Sequence, residues 1–171
     1  TGPVQQPRRL VAIGDRVYVT LGHTAPVSEL DATSGEVLRV FEGTERTQEI
    51  LVDRGVLYLV QGDPTTTSDM NYYLSRAQRF GFDPGTDPSN VKQPKSRLVA
   101  IRIEDRKQLW RRDEQMEGYW AMSLGVDREQ VAYLDDGHLY LLEALTGEQI
   151  WQSERRSSVT APGSPVTVVL E

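Results

Sequence analysis

Short runs of apolar residues, broken by turn residues at regular intervals, pattern this chain from Leu10 to Trp151. Leu10–Ile13 and Arg16–Leu21 flank Gly14-Asp15, a pair suited to the positive φ angles of a tight hairpin, and β-branched residues fill both runs. Val27–Asp31 and Glu36–Phe41 flank a second turn, Ala32–Gly35. Four short strands in this order predict an antiparallel meander sheet.

The pattern then restarts. Glu49–Val52, the Asp53–Gly55 turn and Val56–Val60 open a second unit, completed by Arg97–Ile103, the Glu104–Lys107 turn and Gln108–Trp110. A third unit reads as strands over Ala121–Leu124, Gln130–Leu134, His138–Glu143 and Gln149–Trp151. Ser164–Leu170 has the pattern of the first strand of a fourth. Gly147 and Arg106 lie at equivalent turn positions 41 residues apart, whereas Arg106 and Gly35 lie 71 apart. The excess matches a polar segment, about 62–95, inserted into the second unit. Four strands repeating every ~40 residues are the signature of a β-propeller blade.

The expected fold is therefore all-β: about three four-stranded antiparallel blades, the first strand of a fourth, and one short helical insertion. The expected units are a linker or arm at 1–9, blades at 10–43, 44–115 and 116–155, and a linker with the further strand at 156–171.

The turns carry a motif. Leu141, Glu143, Thr146, Gly147 and Trp151 in the third unit align with Ala100, Arg102, Asp105, Arg106, Lys107 and Trp110 in the second, and with Asp31, Ser34, Gly35 and Arg39 in the first. This frame resembles the PQQ-like repeat of the quinoprotein-dehydrogenase propeller superfamily, which reads Ala-x-Asp-x-x-Thr-Gly-Lys-x-x-Trp. Its residues here are Asp31, Gly35, Ala100, Trp110, Thr146, Gly147 and Trp151. The resemblance implies that each tryptophan packs between neighbouring blades, on the glycine turn of the adjacent motif. A buried clamp at Trp151 would cost about 3–5 kcal/mol on truncation to alanine. Arg39 stands at the tryptophan position of the first unit, so the clamp there is expected to be weaker or to use the arginine stem.

Composition narrows the function. The net charge of −6 and pI near 5.0 disfavour nucleic acid and anionic membrane surfaces. No apolar run is long enough for a transmembrane helix, so membrane insertion is not expected. With no cysteine, disulfides, thiolate zinc sites and cysteine nucleophiles are excluded. The dehydrogenases of the superfamily need a closed ring of blades, a calcium ion and usually a vicinal disulfide over the quinone, and that disulfide cannot form here.

Candidate chemistry is sparse. His23 and His138 lack metal-ligand spacing, and Ser28, Ser123 and Ser164 lack a nucleophile-elbow context. Asp83–Asn90 is oxygen-rich but proline-broken, a string of turns rather than a calcium loop. Tyr119-Trp120 precedes the third unit near the expected central channel, where packing is the favoured role. The basic run Arg106–Arg112 is flanked by acids and reads as a solvated edge. Within the insertion, Ser68–Phe80 has helical periodicity, with Tyr72, Arg76 and Arg79 on its outward face as candidate partner contacts.

The expected function is a non-catalytic propeller module serving as a protein-binding or assembly scaffold within a larger protein. The alternative is part of a quinoprotein or other multidomain enzyme whose catalytic residues lie elsewhere. No cofactor, metal or catalytic residue is assigned. Partners are a protein or the remaining blades, with a homodimer also open. Resemblance to superfamily members of bacterial outer-membrane assembly implies a periplasmic or otherwise exported location.

Overall fold

A computed structural model describes residues 8–22, 24–62, 96–113, 116, 119, 123–135 and 137–154. Twelve strands form three antiparallel sheets of four. The first contains β1 (Leu10–Ile13), β2 (Arg16–Thr20), β3 (Val27–Asp31) and β4 (Val37–Phe41). The second contains β5 (Thr47–Asp53), β6 (Val56–Gly62), β7 (Ser96–Arg102) and β8 (Gln108–Arg112). The third contains β9 (Gly125–Asp127), β10 (Gln130–Asp135), β11 (His138–Glu143) and β12 (Gln149–Gln152). Strand order within each sheet follows chain order, so each sheet is a meander built on tight hairpins.

One expected strand lies elsewhere. The first strand of the third sheet spans Gly125–Asp127, pairing Gly125 with Ala132 and Asp127 with Gln130; of the expected strand, Ser123 and Leu124 lie before it and Ala121 and Met122 fall outside the described residues. Glycine at 125 reads as a breaker in sequence, yet here it is buried and hydrogen-bonded within the sheet. The proposed insertion helix and the proposed strand at 164–170 lie outside the described residues, as do His23, Ser164, Trp120 and Asp83–Asn90.

Because a blade is covered on both sides, its central strands need apolar residues on both faces. The second sheet shows this directly. Val56, Tyr58 and Val60 of β6, with Leu98 and Ala100 of β7, join the third sheet's Val131, Tyr133, Tyr140 and Leu142 in one core. Their alternating neighbours Leu57, Leu59, Val99 and Ile101 join Tyr18, Val27 and Phe41 of the first sheet in another. The unbroken apolar run of β6 therefore divides residue by residue between two interblade cores. The first strands meet in sequence, β1 against β5 and β5 against β9, so the three blades fan around a common inner edge.

The link between the first two blades is stitched by polar side chains. Thr44 Oγ1 accepts the Val27 amide at 2.7 Å and donates to the Phe41 carbonyl, and Thr47 Oγ1 donates to the Thr44 carbonyl at 2.7 Å. Gln61 Nε2 donates to the carbonyls of Gly43 and Glu45, both at 3.0 Å. Thr44, Thr47 and Gln61 are buried, so each satisfies linker backbone that would otherwise lose water unpaid.

Candidate functional site

The repeat turns come first, because they position the joints between blades. In all three, the residue at the motif's glycine position takes a left-handed backbone: Gly35 has φ +74°, Gly147 +72° and Arg106 +59°. The residue before it accepts an amide two residues on. Ser34 Oγ receives Glu36 N–H at 3.2 Å, Asp105 Oδ1 receives Lys107 N–H at 3.1 Å, and Thr146 Oγ1 receives Glu148 N–H at 3.2 Å. Asp105 thus does the work of the motif threonine, a turn-forming role that short polar side chains share. Asp31 Oδ1 accepts the Thr33 and Ser34 amides, each at 2.9 Å, and these bonds hold its carboxyl below the ordinary aspartate range. Asp105 is likewise held low, mainly by the Lys107 amide. At the equivalent of Asp31, Glu143 caps the Leu145 and Thr146 amides.

Each turn is followed by a bulge that brings the motif's first residue opposite its last. The cross-strand partners are Glu29 with Arg39, Ala100 with Trp110, and Leu141 with Trp151. At the joint between the second and third blades, Trp110 is 8% exposed and its Nε1 donates to the Ala144 carbonyl at 2.8 Å. Its ring lies flat against the Gly147 turn. A Cβ built on Gly147 would stand 2.6–2.8 Å from three indole carbons, so no side chain fits there. Tyr58 tilts against the same ring at 6.2 Å, and its hydroxyl also donates to Ala144 O, at 3.3 Å. Burial pushes the Tyr58 phenol up to about 12.

The joint between the first and second blades has the same plan in different chemistry. Arg39 Nη1 donates at 2.9 Å to the carbonyl of Ile103, which holds in the second repeat the place of Ala144 in the third. Glu29, 1% exposed, replaces the small residue opposite and ion-pairs with Arg39 Nε at 2.9 Å and Arg16 Nε at 3.1 Å. With no indole to seat, the turn tolerates a Cβ at Arg106. Arg39, where a weaker clamp or one using the arginine stem was expected, makes the joint through its guanidinium.

Two motif residues have no such neighbour among the described residues. Trp151 is 43% exposed, so the buried clamp in this structure is Trp110 rather than Trp151. Among the described residues, no atom outside its chain neighbours lies within 4 Å of a Cβ built on Gly35.

At the inner edge the structure assembles a polar node that the sequence reading did not anticipate. Glu49, 2% exposed, pairs through Oε1 with the Arg8 guanidinium and accepts the Tyr119 hydroxyl on Oε2. Arg8 also donates to the Leu124 carbonyl at 3.1 Å, and its own carbonyl accepts the Ile50 amide at 2.8 Å. One side chain from the expected arm thus ties the second blade to the third. Burial, then the Glu49 charge, raises the Tyr119 phenol far above its usual value. A charged residue opening an apolar strand was the visible signal for Glu49; its partners were not readable, being 41 and 70 residues away.

From Tyr119 an aromatic ladder runs outward: Tyr133 at 6.5 Å, then Tyr140 stacked on Tyr133 at 5.0 Å, with Arg112 over Tyr140 at 5.5 Å. His138 tilts against Tyr140 at 6.1 Å, and its Nδ1 lies 2.9 Å from Ser153 O. Ser123 is fully buried, and its Oγ accepts the Leu134 amide at 3.0 Å. Ser28 is buried within β3. Arg102 and Arg111 pair with Asp105 and Asp113, giving the basic run a mixed, solvated character. Among the described residues, no group of three histidines or acids is placed to hold a metal ion. Tyr72, Arg76 and Arg79 lie outside the described residues.

Sheets of four antiparallel strands radiating from their first strands, joined through a recurrent turn and an outer-strand clamp, define a β-propeller of the PQQ-like type. Residues 85–170, half of the chain, match the family described as outer membrane protein assembly factor BamB. The chain belongs to this family of PQQ-like repeat propellers. No curated protein matches significantly. Among solved structures, BamB from Moraxella catarrhalis aligns at TM-score 0.56 and 12% identity, covering 96% of this chain and 37% of that one. The computationally designed Ika8 protein aligns at 0.58 and 13%, covering 89% and 37%. The quinohemoprotein alcohol dehydrogenase from Comamonas testosteroni aligns at 0.52 and 14%, covering 89% of this chain and 21% of its own. The chain thus spans about a third or less of these structures' lengths, and the likeness is one of fold. No helix among the described residues is long and apolar enough to cross a membrane.

Proposed function

We propose that the chain is a non-catalytic propeller module within a larger protein, with blades at 10–43, 44–115 and 116–155, that serves as a protein-binding or assembly scaffold in the bacterial periplasm or another exported location. The family match supports an assembly role, since the matched family is named for outer-membrane protein assembly. The observation that carries the reading is the inner-edge node. Both carboxylate oxygens of the buried Glu49, on the first strand of the second blade, are used to hold blades together. Charges spent this way stiffen a platform instead of poising a reaction.

Partner contact then falls to the segment inserted between β6 and β7, through Tyr72, Arg76 and Arg79. Long insertions on rigid scaffolds are where such contacts are usually carried. The test has two arms. Titration with the quinone and calcium, followed by tryptophan fluorescence and dye-linked turnover, is expected to show neither binding nor turnover; stoichiometric binding with turnover would place the chain among the quinoproteins. In the second arm, in-cell crosslinking from position 72 or 76 is expected to capture an envelope protein. The double change Arg76→Glu, Arg79→Glu should abolish that capture without altering the circular dichroism spectrum.

A further inference from the structure

Arg8 fills the inner-edge node as a ligand fills a socket. The receiving groups are well held. Glu49 lies within β5 with Oε2 fixed by the Tyr119 hydroxyl, which leaves Oε1 for Arg8. Leu124, buried beside β9, presents its carbonyl to the same guanidinium at 3.1 Å. The plug is held more lightly. Its side chain is 35% exposed, against 3% for that of Glu49. Both side-chain bonds leave from one nitrogen, Nη2, while Nε is shut away from water with no partner among the described residues. The arm's backbone adds two bonds: Arg8 O accepts the Ile50 amide at 2.8 Å, and Arg9 O accepts the Thr20 amide at 3.3 Å. The Ile50 amide lies on the open edge of β5, the end strand of its sheet.

Leaving so deeply buried a carboxylate without its cation is strongly destabilising, so whatever displaces Arg8 must bring a positive charge. A carboxylate and a carbonyl converging on one cation favour a guanidinium, which is more weakly hydrated than an ammonium and carries its donors in a fixed fork. The edge amide adds a call for extended backbone, as in strand addition. We infer that this socket is an exchangeable recognition site for an arginine on an extended segment of a partner protein, entering in place of Arg8. The incoming guanidinium takes Glu49 Oε1 and the Leu124 carbonyl, and the same residue's carbonyl takes the Ile50 amide. Arg8 is then a tethered self-ligand, and its idle Nε leaves room for a segment that fits better. The net charge of −6 favours the approach of such a basic segment. The site uses no residue of the insertion between β6 and β7 and does not rest on the scaffold reading.

Titrating acetyl-Pro-Arg-Arg-Leu-amide, the sequence of residues 7–10, into the isotopically labelled full chain tests it by NMR. In Arg8→Ala the Ile50 amide is expected to shift saturably with peptide. The wild-type chain should bind about tenfold or more weakly, because its own tethered arginine competes at high effective concentration. A peptide with citrulline for the first arginine keeps the shape without the charge and should lose the binding. Arg8→Lys, which keeps a charge but not the planar fork, carries the test if Arg8→Ala misfolds, and it too should bind the arginine peptide more tightly than wild type does. No saturable shift at Ile50 in either variant, equal affinity for the citrulline peptide, or equal affinity in wild type and variants overturns the inference.

Discussion

Two tryptophans at one repeat position have opposite surroundings, and that contrast fixes what each is worth. Trp110 is buried on Gly147 and hydrogen-bonded, so Trp110→Ala is expected to cost about 3–5 kcal/mol in urea denaturation. Trp151→Ala should cost clearly less, because Trp151 is 43% exposed and loses less buried surface. Equal losses would refute the assignment of the clamp. The glycines make the same point from the other side. Alanine at either site meets the left-handed backbone, a cost of about 1 kcal/mol, but only at Gly147 does its methyl also collide with an indole. Gly147→Ala should therefore be the more damaging by about 1–3 kcal/mol, as read from the two denaturation midpoints.

Strands and turns were largely legible in sequence, because alternation and turn residues are local signals. The joints were not. Arg39 at a tryptophan position looks like a lost clamp until Glu29 is placed opposite it and the Ile103 carbonyl, 64 residues on, is placed beyond it. Arg106 at a glycine position looks like decay until its left-handed φ shows the turn intact. Strand β9 was misplaced because Gly125 breaks a one-dimensional pattern while lying inside a three-dimensional ladder. The first joint should accordingly behave as a set. Arg39→Ala leaves buried Glu29 with Arg16 alone and is expected to cost about 2 kcal/mol, discounted for the partial exposure of the arginine. Arg39→Trp should also destabilise, because Arg106 leaves the ring no seat. The triple change Glu29→Ala, Arg39→Trp, Arg106→Gly should recover stability toward wild type, and a triple variant no better than Arg39→Trp would refute the equivalence of the two joints.

At the scale of the molecule, pH acts on the blades from both ends. Asp31 and Asp105 have carboxyls held below their ordinary values, so the turn bonds they make are present above the unfolded-state pKa of about 4 and are lost as pH falls through the lower folded values. The Thr33, Ser34 and Lys107 amides should lose their characteristic chemical shifts over that window; titration at or above pH 4 would contradict it. Tyr58 works in the alkaline direction. Its phenol titrates near 10 when unfolded and about 12 when folded, so the fold binds the proton more tightly and stability declines as pH rises from 10 to 12. Tyr58→Phe should flatten that decline in pH-dependent melting.

The joints also bear on how such a chain can grow. Each one is split between two blades: Glu29 and Arg39 belong to one sheet and Arg106 to the next, as Trp110 and Gly147 do. A tandem duplication of the third blade would present Trp151 to a glycine turn and inherit a matched pair. Duplicating the second would drive Trp110 into the Cβ of Arg106. Order along the chain is therefore written into the seams, and the three blades are not interchangeable parts even though they share one plan.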